Sequence, residues 1–427
     1  MKVLIETHGC KLNTADSQRM AKEFVEAGYE MAGRDDSPDV FVLNSCTVTH
    51  VADRKARQSL HSARRRFPSA VVVAAGCYPS HNLENVSRLE AVDLVVTNQD
   101  KPSLVQTVSR HLGPSFGQRW KGSAGPPSEL LGRTRASVKI QEGCDQVCAY
   151  CIVPKVRGRE KSIPERQIVQ QVSDLARGGC PEVILTGTQL GSYGFDLENT
   201  CLSDMVVRIL RETDVPRLRV SSLQPLEVTD DLLDLWSGIG RGRLCPHFHL
   251  PLQSGSDDVL KRMRRRYDAA AFLRTVERVR QAVPDCSVTT DIIAGFPGES
   301  DADQTATLDV VEQARFADAH VFPYSVRPGT TAAHFNVQVP SHVRSGRAAG
   351  IREITSRHAR EHRMSFVGKT RPVLWEKVTA GVMTGLTDNY LRVRLTGSPS
   401  AATEGSIQDI VLTGIDRGVM LGEPLRS

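Results

Sequence analysis

The stretch "ASVKIQEGCDQVCAYCIVP", residues 136–154, joins a short alternating run to three cysteines, Cys144, Cys148 and Cys151, in the spacing C-x3-C-x2-C. "ASVKI" (136–140) reads as a strand, and the cysteines fall on the loop that leaves it. Comparable runs follow at "EVILTG" (182–187), "RLRVSS" (217–222), "HFHLPL" (247–252), "SVTTDIIAG" (287–295) and "AHVFPYS" (319–325). Helical periodicity separates them, for example over 165–177 and 268–283. Strand and helix in alternation imply a parallel sheet. Six such units predict an open, six-stranded relative of the eight-stranded barrel, with its site at the carboxyl ends of the strands. The loops "TGTQLG" (186–191), "QSG" (253–255) and "GFPGE" (295–299) fall at those ends.

Upstream, "KVLIE" (2–6), "DVFVLN" (39–44) and "AVVVAAG" (70–76) suit strands buried on both faces of a parallel sheet. A helix is predicted over 15–27, where Met20, Phe24 and Ala27 share a face and Gly28 supplies a stop. Each strand is followed by a cysteine: Cys10, Cys46 and Cys77. Loops at the carboxyl ends of parallel strands share one edge, so three thiols far apart in sequence are expected to meet. Residues 113–130, rich in Gly, Pro and Ser, read as a linker. In the tail, "NYLRVRLTG" puts Leu391, Val393 and Leu395 on one face and Arg392 and Arg394 on the other, after a turn at "TDN". With short strands around 371–383 and 407–422, the tail predicts a small all-β barrel. The chain is thus expected to be α/β, with an open parallel domain over 1–115, a partial (β/α)6 barrel over 133–364 and the β module over 365–427.

A chain of 427 residues exceeds one compact core, and 40% apolar with 24% charged residues is ordinary for a globular protein. No apolar run approaches the ~20 residues that cross a bilayer. "MKVLIETHGCKLN" lacks the apolar middle of a signal peptide, so a cytoplasmic, membrane-free protein is expected. Ten cysteines in a reducing compartment are then buried thiols, metal ligands or catalysts rather than disulfides. The net charge is only +5, but Arg54, Lys55, Arg57, Arg64, Arg65 and Arg66 cluster, and 341–365 holds six arginines against two glutamates. Each run alone reads as a solvated helix face. Together they permit a polyanionic partner.

Three thiols on one loop fit half of a zinc site only if a fourth Cys or His lies in reach, and zinc knuckles usually come in pairs. No second pair exists here. Iron-sulfur clusters also use thiolates and tolerate an unusual ligand at one iron. Three cysteines therefore leave one iron free for a small molecule. Cys180, Cys245 and Cys286, at strand starts, and Cys201, near a helix start, are expected to be buried small side chains.

With its cysteine loop after the first barrel strand, the chain resembles the radical S-adenosylmethionine superfamily. Within it, "THGCKLN" (7–13), "LNSCTVT" (43–49), "AAGCYP" (74–79), Arg157-Gly158, "HLPLQSGS" (249–256) and "DIIAGFPGES" (291–300) occur in the order seen in methylthiotransferases. The resemblance implies two [4Fe-4S] clusters. Cys144, Cys148 and Cys151 would hold one, whose open iron binds S-adenosylmethionine, and Cys10, Cys46 and Cys77 the other. It also implies a radical-SAM barrel, a carboxyl-terminal TRAM module and Tyr150 packed near the adenine. In the family a 5′-deoxyadenosyl radical removes hydrogen from a carbon, and a methylthio group replaces it. No protein acid or base breaks such a bond, so the cofactors must bring the reactivity. Gly187, Gln253 and Gly295 are expected to contact S-adenosylmethionine, the glycines by close backbone approach, although glycines at strand ends also simply form turns.

Methylthiotransferases act on N6-threonylcarbamoyladenosine at position 37 of tRNA, on N6-isopentenyladenosine there, or on a ribosomal-protein aspartate. "GCKLN", "GCDQVCAYCIVP" and "SSLQP" (221–225) look most like the first class. The implied partners are a tRNA anticodon stem-loop, whose phosphates Arg392 and Arg394 are placed to contact, and a reductant such as flavodoxin or ferredoxin. A monomer is expected. The reading from another class is an iron-sulfur redox relay, which prefers clusters closed by four protein ligands.

Overall fold

In the computed structural model, residues 1–33, 36–113, 134–379, 381–396 and 402–425 are described. The expected linker lies, from residue 114 on, outside the described residues. Five parallel strands form the first sheet, in the order Glu30–Met31, Lys2–Thr7, Val40–Ser45, Val71–Gly76, Leu94–Val96. Val40, Val42, Val73 and Ala75 face Met20, Phe24, Leu104 and Val108 of the helices Lys11–Glu26 and Leu104–Leu112. Phe41, Leu43, Val72 and Ala74 face Ala56, Leu60 and Ala63 of the helix His50–Arg66. Both faces are covered, which is why these runs are apolar without alternation.

The first helix begins at Lys11, not at residue 15. Its opening turns carry Asn13, Asp16, Ser17 and Gln18, all buried. Asn13, Asp16 and Gln18 find partners on the barrel side, in Arg157, Lys139 and Ser137, and Ser17 finds them in the first sheet, in Thr7 and Asn44, so the sequence alone does not show why the helix starts so early.

Arg135–Lys139, Glu182–Thr186 and Arg217–Val220 form one parallel three-stranded sheet, and His247–His249, Ser287–Ala294 and Asp318–Pro323 another. Isolated parallel bridges, Leu218 to Leu244 and Ser222 to His249, join them. The expected six-stranded array is therefore two ladders rather than one. Pro246 and Pro251 flank the short fourth strand, and a proline has no N–H for a ladder.

Along these strands Ala136, Val138, Val183, Leu185, Leu218, Val220, Phe248 and Val288 pack outward on helix residues such as Ile168, Met205, Ile209 and Phe272. Alternation turns Arg135, Ser137, Lys139, Glu182, Arg217, Arg219, His247, His249 and Asp291 inward. Closed eight-stranded barrels fill that space with branched apolar side chains. This lumen is polar instead. The helix Lys11–Glu26 covers the free edge of the first barrel strand, where the Ser137 N–H donates to Gln18 Oε1 at 2.9 Å.

The tail closes into a five-stranded barrel, Thr370–Thr379, Val382–Thr387, Arg392–Leu395, Val419–Pro424, Ile407–Asp416, around Trp375, Val393, Ile410 and Met420. Arg217 fastens it to the central barrel through the carbonyls of Pro372 (2.6 Å) and Leu386 (3.2 Å). Cys180, Cys245 and Cys286 are buried, as expected. Cys201 is exposed: its N–H and thiol both lie 3.0 Å from the Asp204 carboxylate, at the start of the helix Leu202–Glu212. The geometry of a helix N-terminus, not burial, accounts for it.

Candidate active site

The cysteine loop turns on Gly143, at φ +77°, where a Cβ would lie 1.9 Å from the Arg159 carbonyl oxygen. The reversal lets the Cys144 N–H donate to Gly158 O at 3.2 Å. Gly143→Ala is expected to lower the thermal midpoint by several degrees and to reduce iron bound per chain, read by calorimetry and iron assay.

Cys144, Cys148 and Cys151 line one cavity of about 160 Å³ with Tyr150, Gln189, Gln224, Glu227, Gln253 and Arg265. Burial pushes the Cys144 thiol up to about 11 and Cys151 to about 12. At neutral pH such thiols stay protonated unless a cation meets them. Arg265 supplies one positive group: Nη1 is 3.4 Å from Cys148 Sγ, while Nη2 donates to Gln224 Oε1 (3.1 Å) and Nε to the Tyr267 hydroxyl (3.2 Å).

Of the residues expected to touch S-adenosylmethionine, Tyr150 and Gln253 line this cavity, and Gly187 and Gly295 do not. Gly187 makes room for Gln141, whose Oε1 lies 3.0 Å from where a Cβ would stand. Gly295, at φ +73°, lies under Arg344, whose Cγ is 2.2 Å from its Cβ position. Packing accounts for both glycines. Gln253 holds φ +67°, rare without glycine. Its N–H donates to Asp291 O (2.8 Å) and its carbonyl accepts from the Ile293 N–H (2.9 Å), so the neighbouring strand pins it there. Such constrained conformations cluster at functional sites.

Gln189, Gln224, Glu227 and Arg265 were not singled out from sequence. Burial pushes the Glu227 carboxyl up, and it accepts from the Gln224 N–H at 2.8 Å and from the Gln189 amide. "TGTQLG" and "SSLQP" contain both glutamines, and their position after strand ends was the available signal.

Cys10, Cys46 and Cys77 leave the carboxyl ends of three adjacent strands of the first sheet. Gly9, at φ +121°, brings the first loop so close that a Cβ would lie 2.7 Å from Cys46 Cβ. Burial first, then the neighbouring Cys10, pushes the Cys46 thiol up to about 12. Asn98 Nδ2 donates to Cys77 Sγ (3.4 Å) and to Val156 O (2.8 Å), and Cys77 packs on Ile152 and Val156. The short helix Val153–Arg157, which follows Cys151, thus lies between the two sets. Among the described residues no group of His, Cys, Asp or Glu is disposed around one metal ion. Zinc needs its ligands within about 2.3 Å of a single atom.

A charged network ties the first sheet to the barrel mouth. Arg157 reaches Asn13 Oδ1 (2.5 Å), Glu142 Oε1 (2.5 Å) and Asp16 Oδ2 (3.3 Å). Asp16 also binds Lys101 (2.7 Å) and Lys139 (2.8 Å). Beside Cys46, the buried Arg327 donates to Asp53 Oδ2 (2.7 Å) and Thr47 Oγ1 (2.9 Å). On the tail barrel, Arg392 and Arg394 alternate with buried Leu391, Val393 and Leu395. Each faces a carboxylate: Glu376 at 3.6 Å and Asp416 at 2.6 Å.

Comparison with known proteins gives matches along nearly the whole chain. The Radical SAM superfamily profile matches residues 138–311, and that of Uncharacterized protein family UPF0004 matches residues 2–97. The threonylcarbamoyladenosine tRNA methylthiotransferase MtaB of Bacillus subtilis is 32% identical over 93% of this chain and 90% of its own length. The tRNA-2-methylthio-N(6)-dimethylallyladenosine synthase of Trichlorobacter lovleyi is 33% identical over 99% of both. Among solved structures, the radical S-adenosylmethionine methyltransferase TsrM of Kitasatospora setae superposes with a TM-score of 0.58 at 15% identity, over 84% of this chain and 89% of its own.

Proposed function

This chain belongs to the radical S-adenosylmethionine tRNA methylthiotransferases, and on that premise we propose that it puts a methylthio group on carbon 2 of N6-threonylcarbamoyladenosine at position 37 of tRNA. The family's cofactors, S-adenosylmethionine and two [4Fe-4S] clusters, supply radical chemistry and sulfur that side chains lack. Cys144, Cys148 and Cys151 hold one cluster, and Cys10, Cys46 and Cys77 the other. One observation carries this reading: two sets of three thiols, each without a fourth cysteine among the described residues, flank the helix Val153–Arg157.

Other residues have separable tasks. Arg265 offsets thiolate charge at Cys148. Tyr150, Gln189, Glu227 and Gln253 orient S-adenosylmethionine in the cavity they line. The first sheet, held down by Asp16 and Arg327, keeps water from the barrel mouth. The three units 1–115, 133–364 and 365–427 divide the work. The first two carry the clusters, and the third, a TRAM-like module, meets RNA phosphates with Arg392 and Arg394, which must exchange their carboxylate partners to do so. Exposed Arg54, Lys55 and Arg65 offer further positive charge to a polyanion. A flavodoxin or ferredoxin donates electrons to a monomer in the cytoplasm. Among the described residues no helix is long and apolar enough to cross a membrane.

Mass spectrometry of tRNA nucleosides from a strain lacking the gene tests the substrate. Loss of 2-methylthio-threonylcarbamoyladenosine is expected, with its unthiolated precursor accumulating; loss of the dimethylallyl product instead would overturn the assignment. In vitro, Cys46→Ala is expected to lower iron to about half and to stop methylthio transfer, while 5′-deoxyadenosine still forms.

A further inference from the structure

Among the described residues the charged side chains inside the central barrel have ion-pair partners, apart from Lys11. Glu182 binds Arg219 through Nε (2.8 Å) and Nη2 (3.2 Å) and lies 3.8 Å from both Arg135 and Arg217. Arg135 also has Glu376 at 3.0 Å, and Asp291 has His249 at 3.3 Å. Lys11 directly follows Cys10 and reaches in to 5.9 Å from the Tyr390 ring centroid. It has no hydrogen-bonded or ion-paired carboxylate among the described residues.

The space around that ring holds two more unanswered groups. Arg219 Nη1 and His247 Nδ1 are buried without a hydrogen-bond partner, in side chains 0% and 3% exposed. Buried polar atoms rarely stay single in a finished site. His247 stacks on Tyr390 at 4.2 Å, and the Arg219 guanidinium lies 5.0 Å from the ring centroid. Tyr390 comes from the tail barrel, keeps 36% of its surface open and holds φ +75°, a conformation a tyrosine adopts only under constraint. An aromatic wall, an unpaired ammonium and a guanidinium with a spare donor make a receptor for an anion carried on a planar group. Lys11 sets it next in the chain to Cys10, the first residue of the amino-terminal cysteine set.

We infer that Lys11, with the spare Nη1 of Arg219, forms an anion subsite that selects an RNA adenosine whose N6 substituent ends in a carboxylate over one whose substituent is apolar. The inference rests on the substrate reading above. A threonylcarbamoyl group carries a free carboxylate and a dimethylallyl group has none. The apolar group leaves the Lys11 ammonium and the spare Arg219 Nη1 donor unanswered, which penalises it as well as failing to reward it.

Anaerobic holoenzyme is titrated with three anticodon stem-loops, bearing threonylcarbamoyladenosine, its methyl ester or dimethylallyladenosine. The wild type is expected to bind the acid roughly ten- to hundredfold tighter than the ester. Lys11→Gln is expected to lose most of that preference and Lys11→Arg to keep it. Equal affinity of the wild type for acid and ester overturns the inference, and this arm needs no variant. A preference that survives in Lys11→Gln overturns it while leaving the substrate reading intact. A wild type that binds the dimethylallyl stem-loop tightest refutes the substrate reading and the inference together.

Discussion

Cys148→Ser is expected to lower reductive cleavage of S-adenosylmethionine by roughly 10³-fold or more and iron content to about half, with the fold intact. On the proposed assignment three thiolates are the protein's contribution to this cluster, so losing one removes a third of its anchorage. Serine is a hard oxygen donor that iron-sulfur clusters bind poorly. The fold survives because Cys148 is only partly buried, and Arg265 keeps Gln224 and Tyr267 when it loses the sulfur. Assay of 5′-deoxyadenosine under dithionite, with iron counting and a thermal melt, separates the effects. Cys201→Ser is the control. Its thiol is exposed at a helix start and lines neither cysteine set, so both readouts should match the wild type. Full cleavage by Cys148→Ser would show that some other residue anchors the cluster.

The cysteine loop was legible because ligand spacing is local. Cys144, Cys148 and Cys151 share eight residues of chain, and the strand before them could be read directly. The amino-terminal set was legible by a different route. Unbroken apolar runs such as "VFVL" mean strands covered on both faces, and parallel order then places Cys10, Cys46 and Cys77 on one edge.

What the sequence hid depends on long-range partners. Arg219 and Glu182 stand 37 residues apart and look like solvent-facing charges until the barrel turns them on each other. Asn13 reads as loop, and Asp16 and Gln18 as ordinary polar positions of the helix expected over 15–27, because nothing local shows that Arg157, Lys139 and Ser137 will meet them. Gly187 and Gly295 misled for a related reason. A glycine marks a close approach, and the sequence does not say whether the approaching group is a cofactor or, as here, Gln141 and Arg344.

Asp16 is where that hidden contact is most costly to lose. Its carboxylate, 1% exposed, is shared by Lys101, Lys139 and Arg157. Burial alone would raise its pKa, but the three cations hold it far below the usual carboxylate range. Exposed ion pairs contribute about 0–1 kcal/mol, whereas breaking a buried one costs about 3–5 kcal/mol because its partner stays charged and unpaired. Asp16→Asn is expected to fall in the second range, since the Lys101 side chain is only 3% exposed. The sign with pH follows. A carboxylate with a depressed folded pKa contributes fully above its unfolded value, near 4, and the contribution fades as pH falls below it. Urea melts should therefore show the wild type losing stability in acid and Asp16→Asn losing less, so that the two curves converge at low pH. Asp16→Asn with Lys101→Met removes the stranded charge and should regain part of the loss at pH 7. Methylthio transfer should not return with it. Arg157, left with Glu142 and Asn13, no longer shares a carboxylate with Lys139, so the contact between the first helix and the first barrel strand loosens beside both cysteine sets.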